Sequence, residues 1–166
     1  MKYQVDLFYF NPNIHPETEY FRRLNEIKKV ADILNLKVIE FPFDPQPWFQ
    51  AVKGYEHCPE GGSRCPLCFE YRLRQTAQYA KTHNYDAFAT TLTSGRQKKA
   101  EIINPIGEKL SQKYGIEFLS RDFKKHGGSD QAMFCSDDYG VERQDYCGCV
   151  FSLKAKFDRE RLPPLG

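Results

Sequence analysis

The strongest constraint on this chain is the regular alternation of short β-rich runs with longer stretches of helical period. Strands separated by helices pair in parallel and carry the helices on the faces of the sheet. Residues 4–10, QVDLFYF, are β-rich and stop at the turn signal Asn11-Pro12-Asn13. Pro16 suits a first helical position, and Tyr20, Leu24, Ile27, Ala31 and Leu34 recur every three or four residues, which predicts an amphipathic helix over 16–34. Residues 37–41 predict a second strand, Trp48, Phe49 and Val52 a short helix, and 65–83 a longer helix after the Gly61-Gly62 turn. A short buried strand over 87–91, a helix opened by Asn104-Pro105 with Ile106, Leu110 and Tyr114, and a last strand at 117–119 complete the series. The expectation is an α/β fold, a three-layer open and mainly parallel sheet with helices on both faces. Ligands of such a sheet gather at the carboxyl ends of its strands, in the loops that lead into helices.

A chain of 166 residues has the length of one domain, and 40% hydrophobic residues with 28% charged place it far from the disordered class. No internal repeat or low-complexity tract interrupts it. It contains no apolar run near the roughly 20 residues that span a bilayer, and its N-terminus does not read as a signal peptide, so the cytoplasm is the expected compartment. Thiols are kept reduced there, and six cysteines accordingly point to metal ligation or redox chemistry more than to a disulfide framework. A net charge of +2 leaves nucleic-acid binding to local patches.

Four of the six cysteines form two tight pairs about eighty residues apart. Cys65 and Cys68 lie in EGGSRCPLC, where two intervening residues let both sulfurs face one metal or one another. Pro66 suits a first helical turn, and a helix N-terminus there, with Arg64 beside it, is expected to lower the thiol pKa. Structural zinc, an iron–sulfur site and a thioredoxin-like redox pair all fit this spacing. Cys147 and Cys149 flank Gly148 in QDYCGC, and a bend at the glycine brings them within disulfide range, in a small strained ring of the labile kind. The other use of the second pair is to join the first in a closed four-thiolate zinc site. In the strand-end loops, Asn11, Asn13 and His15 after the first strand and Thr91 and Ser94 after the third are candidate substrate contacts, with turn formation and helix capping as their plainer uses.

FYFNPNIHPETEY, EGGSRCPLC, FATTLTS and QDYCGCVFS, in this order and at these distances, resemble the cobalamin-independent epoxyqueuosine reductases from about Phe8 to Ser152. The resemblance implies an enzyme of the last step of queuosine synthesis, which removes the epoxide oxygen from the modified guanine at the wobble position of tRNA. It implies an α/β layer of the nucleotide-binding, adenine nucleotide alpha hydrolase-like type. It further implies a [4Fe–4S] cluster with Cys65 and Cys68 among its ligands, an additional iron beside it, and a redox-active pair at Cys147 and Cys149. The partners implied are tRNAs with GUN anticodons (Asp, Asn, His and Tyr) and an external electron donor, without a membrane.

The likeness has departures. Members of that family open with a strand ending in a Cys-Cys-x-Pro-Cys-like motif, whereas this chain starts at what would be their second strand, so an upstream first strand is expected to be missing. Cys58 and Cys135 match no family position and are candidate replacement ligands. The stretch Gly95-Arg96-Gln97-Lys98-Lys99 also differs from the expected third-strand loop. His15 and Asp145 are candidate proton donors. Arg96, Lys98, Lys99, Lys124, Lys125, Lys154 and Lys156 are candidate phosphate contacts, and Tyr9, Tyr71 and Tyr146 candidate stacking platforms. A structural zinc protein and a thiol–disulfide oxidoreductase acting on proteins are the competing functional classes.

Overall fold

A computed structural model describes residues 3–95, 97–125 and 127–161. In chain order these form β1 (Asp6–Tyr9), α1 (Glu17–Leu34), β2 (Lys37–Glu40), α2 (Gln46–Ala51), α3 (Arg64–Thr82), β3 (Ala87–Phe88), a 3-10 turn at Leu92–Ser94, α4 (Ala100–Tyr114), β4 (Glu117–Phe118), α5 (Gly128–Asp138) and α6 (Val150–Arg161). No helix among the described residues is long and apolar enough to cross a membrane.

Helix α3 organises the molecule because it is apolar on two faces. Cys65, Phe69, Leu73, Ala77 and Ala80, at spacings of three or four, bury one stripe against Phe88, Ile103, Leu110, Ile116 and Phe118 from β3, α4 and the β4 region. Leu67, Cys68 and Tyr71 lie off that stripe and meet Trp48, Val52, Cys149 and Phe151. A third core joins Tyr9 of β1 to Ile14, Tyr20 and Leu24 around the start of α1. The site therefore sits where the two faces of α3 diverge, at its N-terminal end.

The fold is mixed α/β with parallel strands, as the alternation requires. β1 pairs in parallel with β2, and β3 with β4. The expected single open sheet differs in one respect: among the described residues the ladders form two separate two-stranded sheets. β3 and β4 are only two residues long, and what links the pairs is side-chain packing on α3 and a 2.5 Å hydrogen bond from the Tyr85 hydroxyl to Asp6.

Helix α4 begins at Ala100, earlier than Asn104-Pro105 suggests. The amides of Ile102 and Ile103 donate to the Lys99 carbonyl at 3.1 Å, and the buried stripe Ile103, Gly107 and Leu110 runs straight past Pro105. Burial of Ile103 outweighs the one ladder bond the proline removes. Helices α5 and α6 lacked a legible signal. None of the residues of α5 is buried, and α6 starts directly behind the cysteine pair.

A Cβ on Gly107 would lie 2.3–2.6 Å from ring atoms of Phe118, which is itself buried and packed on Phe88 at 5.0 Å between centroids. In an open helix Gly→Ala gains up to about 1 kcal/mol of propensity. Overpacking costs about 1–3 kcal/mol and prevails here. Gly107→Ala should therefore lower the urea midpoint with an unchanged m-value, and a raised midpoint would contradict this packing.

Candidate thiol site

Two helix starts deliver the cysteines to one place, and two strand-end loops close around them. Cys65 stands in the first turn of α3 and its sulfur accepts the Gly61 amide at 3.2 Å; one turn on, Cys68 accepts the indole N–H of the fully buried Trp48 at 3.3 Å. Cys147 and Cys149 precede α6, and Cys149 caps that helix, its sulfur accepting the Ser152 amide at 3.4 Å and its carbonyl the Leu153 amide at 3.0 Å. From the loop after β1, the His15 amide donates to the Gly148 carbonyl at 2.8 Å. From the loop after β3, the Lys98 ammonium reaches Cys147 Sγ at 3.0 Å and Glu60 at 3.1 Å. Strand-end loops thus surround the sulfurs, as expected of a parallel α/β arrangement. All six thiols are free.

Gly148 makes the bend between the second pair. Its φ of +94° belongs to glycine, and a Cβ there would press on Ile14 and Gln144 at 3.2 Å.

The electrostatics reverse one expectation. Cys65 and Cys68 were to be activated by the helix N-terminus and Arg64, yet burial pushes both thiols up, with the Gly61 amide, Lys98 and Arg64 offsetting it only in part at Cys65. The Arg64 guanidinium is committed elsewhere, to the carbonyls of Tyr55, Glu56 and Cys58. The activated thiol is Cys147, held down to about 6 by the hydrogen bond from Cys149 and by the Lys98 ammonium, against burial and Glu60. Cys149, which gives that hydrogen bond, is pushed up by it and by burial.

The other candidates divide. Asn11 Oδ1 accepts from the Arg72 guanidinium, a residue that spacing did not single out although it lies one turn beyond Cys68. Asn13 is buried with its side-chain oxygen unpartnered. His15 gives its Nδ1 to the Asn13 carbonyl at 2.9 Å and packs its ring among Phe43, Trp48 and Phe49. Thr91 and Ser94 are exposed and bond to each other in the 3-10 turn, while Thr93, unremarked in the sequence, is the fully buried hydroxyl. No contact joins Thr91 or Ser94 to the thiols.

Asp145 is ion-paired with Lys156, which lowers the pKa of its carboxyl, and the same pair engages Lys156. Tyr9 and Tyr71 are core residues whose rings present no open face, whereas Tyr146 is half-buried and its hydroxyl binds the His15 carbonyl. Lys124 donates to the Lys98 carbonyl at 2.6 Å and steadies that loop. Lys99 pairs loosely with Glu101 at 3.8 Å, whereas Lys125 and Lys154 are exposed. Arg96 lies outside the described residues. Lys98, read only as a phosphate contact, turns out to be the partner of Cys147; its lone signal was its place in a loop after a parallel strand.

Cys65 and Cys68 fit as two thiolate ligands of one metal centre, being adjacent turns of a helix start with N–H donors already aimed at both sulfurs. Among the described residues no three His, Cys, Asp or Glu side chains form a metal-holding group. The four paired thiols share one neighbourhood, Cys68, Cys147 and Cys149 packing in the same cluster.

A sequence model of the epoxyqueuosine reductase QueH family matches residues 1–155. The chain is similar to the epoxyqueuosine reductase QueH of Thermotoga maritima, 38% identical over 152 residues covering 90% of this chain and 79% of that protein. It is also similar to the epoxyqueuosine reductase QueH of Staphylococcus epidermidis, 36% identical over 167 residues covering 95% of this chain and 70% of that protein.

The depressed Cys147 thiol carries a stability signature. The folded chain holds a thiolate where the unfolded chain holds a thiol, so its contribution is present in full above the ordinary thiol range of about 8.5 and is lost as pH falls through about 6. Cys149 acts oppositely, but only above that ordinary range, where the unfolded chain would release its proton. Unfolding free energy should hence rise from about pH 6 to about pH 8, more in the native chain than in Cys147→Ser. Equal slopes in urea titrations of the two proteins would refute the thiolate assignment.

Proposed function

The chain belongs to the epoxyqueuosine reductase QueH family, and from that premise we propose that it reduces epoxyqueuosine to queuosine in tRNA, with Cys147 and Cys149 as its two-electron store. The observation that carries this reading is the convergence of the two cysteine pairs, with Cys147 in contact with the Lys98 ammonium at 3.0 Å and Cys149 two residues away across the Gly148 bend. Electron and atom balance agree. An epoxide and two thiols give an alkene, water and a disulfide: two C–O bonds break, one S–S bond forms, and the thiols supply both protons and both electrons.

In this reading Cys65 and Cys68 are two of the ligands of a [4Fe–4S] cluster. When bound, the cluster supplies a one-electron relay and an iron Lewis acid, with an additional iron beside it. Trp48 and the Gly61 amide hold those two sulfurs in place through their hydrogen bonds. His15, fixed by its own amide to Gly148 and by Tyr146 at its carbonyl, keeps the Asn11–His15 loop against the C-x-C segment. Asn11, Asn13, Thr91 and Ser94 are the proposed substrate contacts, the asparagines lying in that same loop. The tRNAs are those with GUN anticodons, and an external donor restores the dithiol.

Cys149→Ser should keep the iron and colour of the native protein yet fail to sustain turnover on epoxyqueuosine-containing tRNA, because one thiol cannot form the internal disulfide. Release of metal together with a fall in Tm would instead place both pairs in one structural zinc site. Cys65→Ala or Cys68→Ala should lose iron from a folded chain, as read by metal analysis and circular dichroism. Iron equal to native in either variant would overturn the ligand assignment.

A further inference from the structure

Around the C-x-C pair runs a closed ring of polar contacts. Lys98 Nζ touches Cys147 Sγ at 3.0 Å and Glu60 Oε1 at 3.1 Å; Glu60 Oε2 accepts the Ser152 hydroxyl at 3.1 Å; Ser152 Oγ accepts the Cys147 amide at 3.3 Å. Glu60 comes from the loop before α3, Lys98 from the loop before α4 and Ser152 from α6, so three segments meet over one sulfur. Residue Cys147 is half-buried, whereas Cys149 is 5% exposed and tied to the first turn of α6. The other groups that bear on the pair are Arg64, Cys65 and Cys68 of α3 and the adjacent Tyr146, and of these only Arg64 is a cation. Lys98 is the one ammonium in contact with either thiol among the described residues.

We propose that Lys98, anchored by Glu60, is the positioning residue that makes the two thiols unequal, so that Cys147 is the sulfur that exchanges with an external dithiol reductant and Cys149 the sulfur that opens and closes the internal disulfide behind it. The assignment rests on the redox-pair reading above. Recharging proceeds in two balanced exchanges. A donor thiolate attacks Cys147 Sγ, the S–S bond to Cys149 breaks, and Cys149 leaves against the Ser152 amide and takes a proton from solvent. The second donor sulfur then attacks the first, a donor disulfide forms, and Cys147 leaves as the thiolate that Lys98 receives. The donor is oxidised by two electrons and the pair reduced by two. A stabilised thiolate is the faster leaving group, so the ammonium contact favours release of the spent donor. The first attack falls on Cys147 because it is the less buried residue of the pair and because the Lys98 ammonium stands against its sulfur to receive the thiolate.

The test uses the full reduced chain with limiting iodoacetamide at pH 6, and peptide mass mapping to locate the label. Cys147 should be labelled ahead of Cys149 by about tenfold or more, because an ordinary thiol is almost wholly protonated at that pH and the weaker nucleophilicity of a stabilised thiolate offsets only part of the gain. Lys98→Gln should slow Cys147 labelling about tenfold, and Lys98→Arg should restore it. A merely structural lysine would not give that rescue. Oxidised glutathione should in turn form a lasting adduct at Cys147 in Cys149→Ser and little at Cys149 in Cys147→Ser, an arm that holds even if Lys98→Gln does not fold. Equal labelling of the two thiols, native labelling in Lys98→Gln, or an adduct formed equally well at Cys149 would each overturn the proposal. Failure of the native pair to form an internal disulfide under a mild oxidant is a separate result, and counts against the redox-pair reading alone.

Discussion

A buried guanidinium holds the site together. Arg64 is 2% exposed, donates to the carbonyls of Tyr55 at 3.2 Å, Glu56 at 3.0 Å and Cys58, and lies over the Phe151 ring at 4.6 Å. A charge taken out of water costs several kcal/mol unless its donors are met, and here carbonyls and an aromatic face meet them. The consequence is geometric. Loop 55–58, the start of α3 and the start of α6 must all stand around one side chain, and the two cysteine pairs, each at a helix start, are brought together with them. Trp48 completes the joint, sealed between Cys68 and Phe151.

Within that joint, magnitudes determine which sulfur is ionised. A helix N-terminus contributes about 0.3–1 kcal/mol to a nearby anion, and an amide donor about as much again. Burial of a thiolate opposes this with several times that energy. At Cys65 and Cys68 burial outweighs the amide and indole donors and the more distant charges of Lys98, Arg64 and Arg72, and both thiols are pushed up. Cys147 has a full positive charge in contact and a thiol donor beside it, and these outweigh its burial. The same accounting separates the two pairs electrostatically although they share one neighbourhood, which is what the division into metal ligands and electron store proposed above requires.

The fold was legible where burial follows a simple period. Tyr20, Leu24 and Ala31 announced α1 because a single apolar stripe meets a single core, and the helix expected over 65–83 is α3. Helix α5 was not legible because it buries nothing, and α4 was started too late because Pro105 is a strong local sign that Ile103 overrides only through its packing. At the site, the C-x-x-C and C-x-C spacings and the Asn-Pro-Asn loop marked segments that the fold brings together. The roles of Lys98, Glu60 and Ser152 were hidden, since residues 38 and 92 positions apart carry no shared pattern along the chain.

Spacing along the chain was enough to establish what depends on near neighbours: the α/β alternation, the paired cysteines, the glycine bend between the second pair, and the family likeness those motifs carry together. The tertiary structure alone decided which thiol is activated and by what. Activation depends on full charges at contact distance and on the cost of burial, and both are set by segments that meet only after folding. Thus Arg64, adjacent to Cys65 in sequence, spends its donors on backbone carbonyls, while Lys98, 49 residues from Cys147, supplies the charge that matters there.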